Sequence, residues 1–183
     1  RPRIGAHVSV AGGLHHGFLN AERIGAEVMQ VFGASPRQWA AKMPTEKDVE
    51  RFHEAGKEAG LSLVYLHASY LVNLASPDEA LVQKSIQSLA DHLTIASMIG
   101  AEGLIFHVGS GKGMLREEAL AQEAEAMKVI LDRVPPRGEE DRPWLIMENT
   151  AGGGDKIGDV EDIGFLFRAL KSKRVKGCVD TAH

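Results

Sequence analysis

The sequence predicts an α/β chain of the TIM (β/α)8 barrel type, of which these residues cover about the first six strands, and three observations predict it. Six short apolar runs alternate with longer segments of helical spacing, which implies a parallel sheet with right-handed crossovers, either open and doubly wound or closed as a barrel. At five of the six runs a His, Glu or Asp falls at or just beyond the C-terminal end: His7, His67, His107, Glu148, and Asp180 with His183. Polar strand ends that converge on one side are the pattern of a barrel mouth, where sites are assembled from several strands. The glycine-rich AGGLHHG (11–17) matches neither a dinucleotide fingerprint nor a P-loop, so an open nucleotide-binding sheet is the weaker reading.

The runs are IGAHVS (4–9), EVMQVFG (27–33), LSLVYLH (61–67), GLIFHVG (103–109), WLIMENT (144–150) and VKGCVDT (175–181). Each is rich in Val, Ile, Leu or Phe and most are bounded by Gly, which suits strands buried on both faces. Pro44-Thr45-Glu46 predicts a helix start with Thr45 as its cap, and Pro77-Asp78-Glu79 predicts another. Leu81, Ile86, Leu89, Leu93 and Ala96 form one apolar helical stripe; Leu115, Leu120, Ala124, Met127 and Leu131 form a second. VPPRGEEDRP (134–143) reads as a surface loop whose acidic run (139–142) is solvated. Five crossovers and six strands fall short of a closed barrel of about 250 residues. The expectation is a single domain over 1–183, truncated at its C-terminal side, inactive and poorly folded by itself because an unclosed sheet exposes edges.

A chain of 183 residues is long enough for one domain with a real core. No apolar stretch approaches the roughly 20 residues that span a bilayer, so no membrane association is expected. The N-terminal residues lack a secretory pattern and the single Cys178 cannot form an internal disulfide, which points to the cytoplasm. The net charge of -4 supplies no global attraction for nucleic acid, so DNA binding would require local basic groups or bound cations.

His67 and His107 each follow a mostly apolar run, where a neutral imidazole offers a nitrogen to a divalent ion. A hydrogen-bonded core histidine would explain either one alone; the recurrence of the same strand-end position weakens that explanation for both. Glu148 stands behind Leu145, Ile146 and Met147, where a carboxylate must be paired, hydrogen-bonded or metal-bound. Asp180 and His183 add a second oxygen and nitrogen pair, and the mixture suits zinc, manganese or iron in more than one ion. His7 is either a ligand or a hydrogen-bonding group behind the ligands. His15, His16, His53 and His92 lack the strand-end context and read as structural or solvated, and Cys178 reads as a small buried side chain inside the last run. Two loops add other ingredients. SPRQWAAK (35–42) offers Arg37 to a phosphate and Trp39 to packing, and ASYLVNL (68–74) offers Tyr70 and Leu71, of the kind that wedge into a base stack.

GAHVS with AGG, PRQW, HASYLVN, FHVGS, ENTAGGG and CVDTAH occur in the order and approximate spacing of the endonuclease IV family of apurinic/apyrimidinic endonucleases, which the chain resembles from Ile4 to His183. The resemblance implies a TIM barrel carrying three zinc ions that cleaves duplex DNA 5′ to an abasic site, leaving a 3′-hydroxyl and a 5′-deoxyribose phosphate. It implies His67, His107 and Glu148 on one ion, Glu148 as the catalytic bridge to a second, Asp180 on that second ion and His183 on the third. Arg37, Tyr70 and Leu71 would then enter the minor groove of DNA at the lesion, and the protein would act as a monomer. Val108 and Ala182 depart from the family's usual proline and cysteine without removing a ligand. Two other readings stand beside this one: a divalent-metal sugar isomerase or epimerase on a related barrel, and a non-catalytic, metal-dependent module that binds DNA lesions.

Overall fold

The computed structural model describes residues 1–138 and 140–183; Glu139, in the acidic run, lies outside the described residues. Six strands form one parallel sheet: Gly5–His7 (β1), Val28–Phe32 (β2), Val64–His67 (β3), Gly103–His107 (β4), Trp144–Glu148 (β6) and Val175–Cys178 (β8). Their spatial order, β1-β2-β3-β4-β6-β8, is their sequence order, so the chain winds always in one direction. That is a barrel's progression, because a doubly wound sheet would reverse at a switch point. Among the described residues β1 and β8 are the edge strands. Two further strands, Gly109–Ser110 (β5) and Lys156–Ile157 (β7), pair antiparallel as a separate ribbon that the sequence reading did not anticipate.

Helices follow the strands: His16–Arg23 (α1), Glu46–Ala59 (α2), Glu79–Ile99 (α3), Arg116–Arg133 (α4) and Val160–Leu170 (α5). Thr45 caps α2 as expected, its hydroxyl accepting the Asp48 amide while the Asp48 carboxylate accepts the Thr45 amide. Asp78 and Asp159 cap α3 and α5 with side-chain oxygens that accept amides of the first turn. Gly60 and Gly100 end α2 and α3 in the left-handed conformation that a glycine adopts without strain. One assignment changes: Leu115 is not on the core stripe of its helix but precedes it as the cap, 69% exposed. Val134, at the start of the expected loop 134–143, is buried, and Arg142 in the same stretch pairs with the buried Glu102 at 2.7 Å.

The sheet alternates. Leu66, Leu104, Phe106, Leu145 and Met147 are fully buried in one cluster with helix residues such as Leu89, Leu93, Met127, Ile130 and Leu166. The intervening residues His67, Ile105, His107, Ile146 and Glu148 therefore turn to the other, inner face. Register sets the neighbours on that face. His107 lies opposite Glu148, and His67 lies opposite Ile105, one inward step below His107.

Candidate metal centre

Polar side chains gather where the inner face meets the C-terminal ends of the strands. The ring of His67 is buried, and its Nδ1 lies 2.8 Å from the Ala68 carbonyl oxygen, to which it donates. In the neutral ring that leaves Nε2 with a lone pair, directed at Oε2 of Glu148 only 3.0 Å away. Two acceptors at that separation repel unless a proton or a cation lies between them. The other carboxylate oxygen, Oε1, lies 3.4 Å from Nε2 of His107 and 3.7 Å from Nδ1 of His183. Glu148 is therefore shared by two groups whose donor atoms all fall within 4.8 Å of one another: His67, His107 and Glu148, and Glu148, Asp180 and His183. Nitrogen and carboxylate donors so clustered fit a divalent transition ion in each group.

The protonation of the surrounding groups suits that purpose. Burial holds the His107 imidazole below its ordinary pKa, outweighing the opposite pull of Glu148, so the ring is neutral and able to ligate at neutral pH. Asp180 is held below the usual carboxylate range, first by the Ala182 amide at 2.7 Å and also by His183. His7, the last residue of β1, is lowered by burial and by the neighbouring His67. Its Nδ1 is 2.8 Å from the Gln30 amide nitrogen, so Gln30 donates and fixes the tautomer, and the ring packs against Phe32 at 4.4 Å. His7 is in neither donor group.

Two residues tied to the candidate site escaped the sequence reading. Asn149 is the first: its side-chain oxygen accepts the Asp180 amide at 2.6 Å, its side-chain nitrogen donates to the Asp180 carbonyl at 3.2 Å, and its own carbonyl accepts His183 Nδ1 at 2.7 Å. It thereby fixes the backbone of Asp180 and occupies Nδ1 of His183, leaving the other ring nitrogen for a ligand. Asn73 is the second, and ties the loop after β3 to Ser110. An Asn in ENT or LVN carries no pattern that separates it from an ordinary loop amide; only partners 31 and 37 residues away reveal it.

The two loops expected to meet substrate are joined. The Ser69 hydroxyl donates to the Pro36 carbonyl at 2.8 Å and the Tyr70 amide to the same oxygen at 3.2 Å, which sets Arg37 beside Tyr70 at the mouth. Tyr70, 61% exposed, stacks over His107 with centroids 6.0 Å apart and rings inclined by 28°. Arg37 and Leu71 are exposed as well, whereas Trp39 is half-buried against the core, so its packing role holds. A cavity of about 390 Å³ opens beside them between Tyr70, Asn73, His107, Lys112, Lys156 and His183. Of the other histidines, His92 is buried and donates to the Ser88 carbonyl, as a structural residue does, while His53 is exposed. Cys178 differs from expectation: it is the last residue of β8 and only half-buried.

A one-way parallel sheet with imidazole and carboxylate donors collected at its C-terminal ends defines a TIM-barrel protein with a candidate metal centre at its mouth. Residues 18–183 match the family described as xylose isomerase-like TIM barrel, and the chain belongs to that family. It is 40% identical over its whole length to a probable endonuclease 4 of Streptomyces avermitilis, of which it covers 59%. The crystal structure of endonuclease IV from Thermus thermophilus superposes with a TM-score of 0.82 at 34% identity, over all of this chain and 64% of that one. A 3-keto-D-glucoside 4-epimerase from E. coli superposes at 0.70 with 13% identity over 98% of this chain and 68% of that one, a likeness of fold alone. The chain thus spans about three fifths of the length of the curated relatives it matches. No helix among the described residues is long and apolar enough to cross a membrane.

Proposed function

We propose that this chain carries the larger part of a DNA-repair endonuclease that hydrolyses the phosphodiester 5′ to an abasic site in duplex DNA. The observation that carries the reading is the shared carboxylate: Glu148 faces His67 with one oxygen and His107 and His183 with the other, beside an exposed Tyr70. The likeness to endonuclease 4 and endonuclease IV over the whole chain supports it. His67, His107, Glu148, Asp180 and His183 would hold the metal, read as zinc with three ions in the intact protein. Bound ions would lower the pKa of water toward neutrality and neutralise charge on the phosphate oxygens.

The chain's own residues do the rest. Glu148 holds two ligand groups at one separation, and Asn149 fixes the geometry of Asp180 and His183. Arg37 supplies a cation for the phosphate backbone, a local attraction on a chain whose net charge is -4. Tyr70 and Leu71 offer surface to the gap left by a missing base, where an intact stack would exclude them. Water adds to phosphorus and the P–O3′ bond breaks, so the products are a 3′-hydroxyl and a 5′-deoxyribose phosphate.

The test is nicking of a duplex containing one abasic analogue by the full-length protein, with and without a chelator. Chelator-sensitive incision on the 5′ side is expected. A gel shift without a nick would favour a lesion-binding module. Neither binding nor incision, with turnover of a ketose, would favour a sugar epimerase.

A further inference from the structure

We infer that Asn73 is a positioning residue that holds the loop bearing Tyr70 and Leu71 in register with the metal-binding end of β4. Its consequence for DNA rests on the nuclease reading; its geometry does not.

The carboxamide of Asn73 pairs with Ser110 as a neighbouring strand would. Nδ2 donates to the Ser110 carbonyl at 3.0 Å and Oδ1 accepts the Ser110 amide at 3.1 Å. The second lone pair of Oδ1 accepts the Ala75 amide at 3.2 Å, so the oxygen is fully used. β5 is thus flanked by a side chain on one edge and by β7 on the other. Gly109 permits the approach: its φ is +121°, and a Cβ there would lie 2.3 Å from Asn73 Oδ1.

The tie is short on both sides. Asn73 is three residues beyond Tyr70, and Gly109 is two residues beyond His107. Across it, the Tyr70 ring stacks on His107. A side chain in this position must accept two amides and donate to one carbonyl within a buried space. Asp cannot donate to Ser110, and Gln is too long by one methylene. The loop has other anchors, since the Ser85 hydroxyl accepts the Asn73 amide and Gln122 donates to the Leu74 and Ser76 carbonyls, each bond near 2.8 or 2.9 Å. Loss of the carboxamide therefore frees the register between the loops and leaves the loop attached.

The full-length protein is compared with its Asn73→Ala and Asn73→Asp variants, alone and combined with Tyr70→Ala. Three readouts are taken: amide hydrogen exchange, bound metal, and affinity for abasic over intact duplex. In Asn73→Ala the Ser110 and Ala75 amides should exchange at least about tenfold faster, with β4 and β6 amides and metal content unchanged. Selectivity for the abasic duplex should fall about tenfold in both single variants, the Asp variant excluding a mere volume effect. In the Tyr70→Ala background the same change should cost clearly less selectivity than it does alone, because of the two side chains that the tie positions only Leu71 is left. Unaltered exchange at Ser110 and Ala75 would overturn the tie. Additive losses in the double variant, wild-type selectivity in Asn73→Asp, or a general loss of protection and metal would overturn the positioning role. If the unmodified protein ignores abasic DNA, the nuclease reading fails, and the tie stands or falls on the exchange measurement alone.

Discussion

Nε2 of His67 lies 3.0 Å from Oε2 of Glu148 while Nδ1 of the same ring is committed to the Ala68 carbonyl. With Nδ1 so committed, a proton or a cation between Nε2 and the buried carboxylate is what stabilises the approach. Replacing Glu148 by Gln should remove the shared ligand. Nicking is expected to fall by roughly a thousandfold, corresponding to about 4 kcal/mol of transition-state stabilisation, with loss of bound metal measured on the same sample.

Asn149 acts on the same centre from behind. Its carboxamide makes two hydrogen bonds to the Asp180 backbone, which Asn149→Ala removes, while the backbone carbonyl that accepts His183 Nδ1 remains. Asn149→Ala should lower metal affinity by about 10- to 100-fold, the usual effect of removing such support, with the thermal midpoint little changed. Metal titration followed by calorimetry checks it.

Arg37 tests the DNA surface. On the nuclease reading the exposed Arg37 meets the phosphate backbone, so Arg37→Ala should weaken abasic and intact DNA equally. The slope of log affinity against log salt should become shallower by about 0.9, one phosphate contact's share. Binding measured at four or five salt concentrations gives the slope directly.

Glu123 on α4 is completely buried, and neither carboxylate oxygen has a hydrogen-bond partner among the described residues. Burial pushes its pKa well above the ordinary range, so the folded state holds a proton that the unfolded chain releases above about pH 4.3. More protons bound in the native state mean that stability falls as pH rises from there toward the raised native value. Glu123→Met should abolish this slope and gain about 1–3 kcal/mol at pH 8, read from denaturant unfolding at pH 5 and pH 8. A variant no more stable at pH 8 than at pH 5, relative to the parent, would refute it.

Arg116 joins the first turn of α4 to the cap of α5, reaching Asp162 at 2.6 Å, Asp159 at 2.5 Å and the Lys156 carbonyl. Asp162 is buried while the guanidinium is partly exposed, so solvent screens one end of the pair only. Arg116→Ala should cost about 2 kcal/mol, below the range for a wholly buried pair. The amides of β7 should lose exchange protection first.

The strands were legible because parallel strands covered by helices read as short apolar runs, and the site because a Glu behind Leu145, Ile146 and Met147 demands a partner. Alternation left a doubly wound sheet and a barrel both open, and the polar strand ends decided for the one-way order. What stayed hidden has physical causes. β5 and β7 are two residues each, too short for any period to register. Asn73 and Asn149 owe their importance to backbone groups remote in sequence. Leu115 fitted the apolar stripe of α4 by spacing, yet the helix begins one residue later and leaves it in solvent. Neither composition nor periodicity indicates which carboxylate oxygen faces which ring.

The β5–β7 ribbon also divides the mouth into segments that tolerate change and segments that do not. It welds the residues just after His107 to those just before α5, so an insertion at 109–110 or 156–157 would pull on His107 and Glu148 through their own backbones. The turn at Ala151 to Gly154 lies outside the ribbon and is largely exposed, and its three glycines all have positive φ. Added length there would loop into solvent. Gly153 and Gly154 are therefore the place where a new recognition element could be acquired or grafted, whereas Ala151 borders the cavity beside His107 and His183.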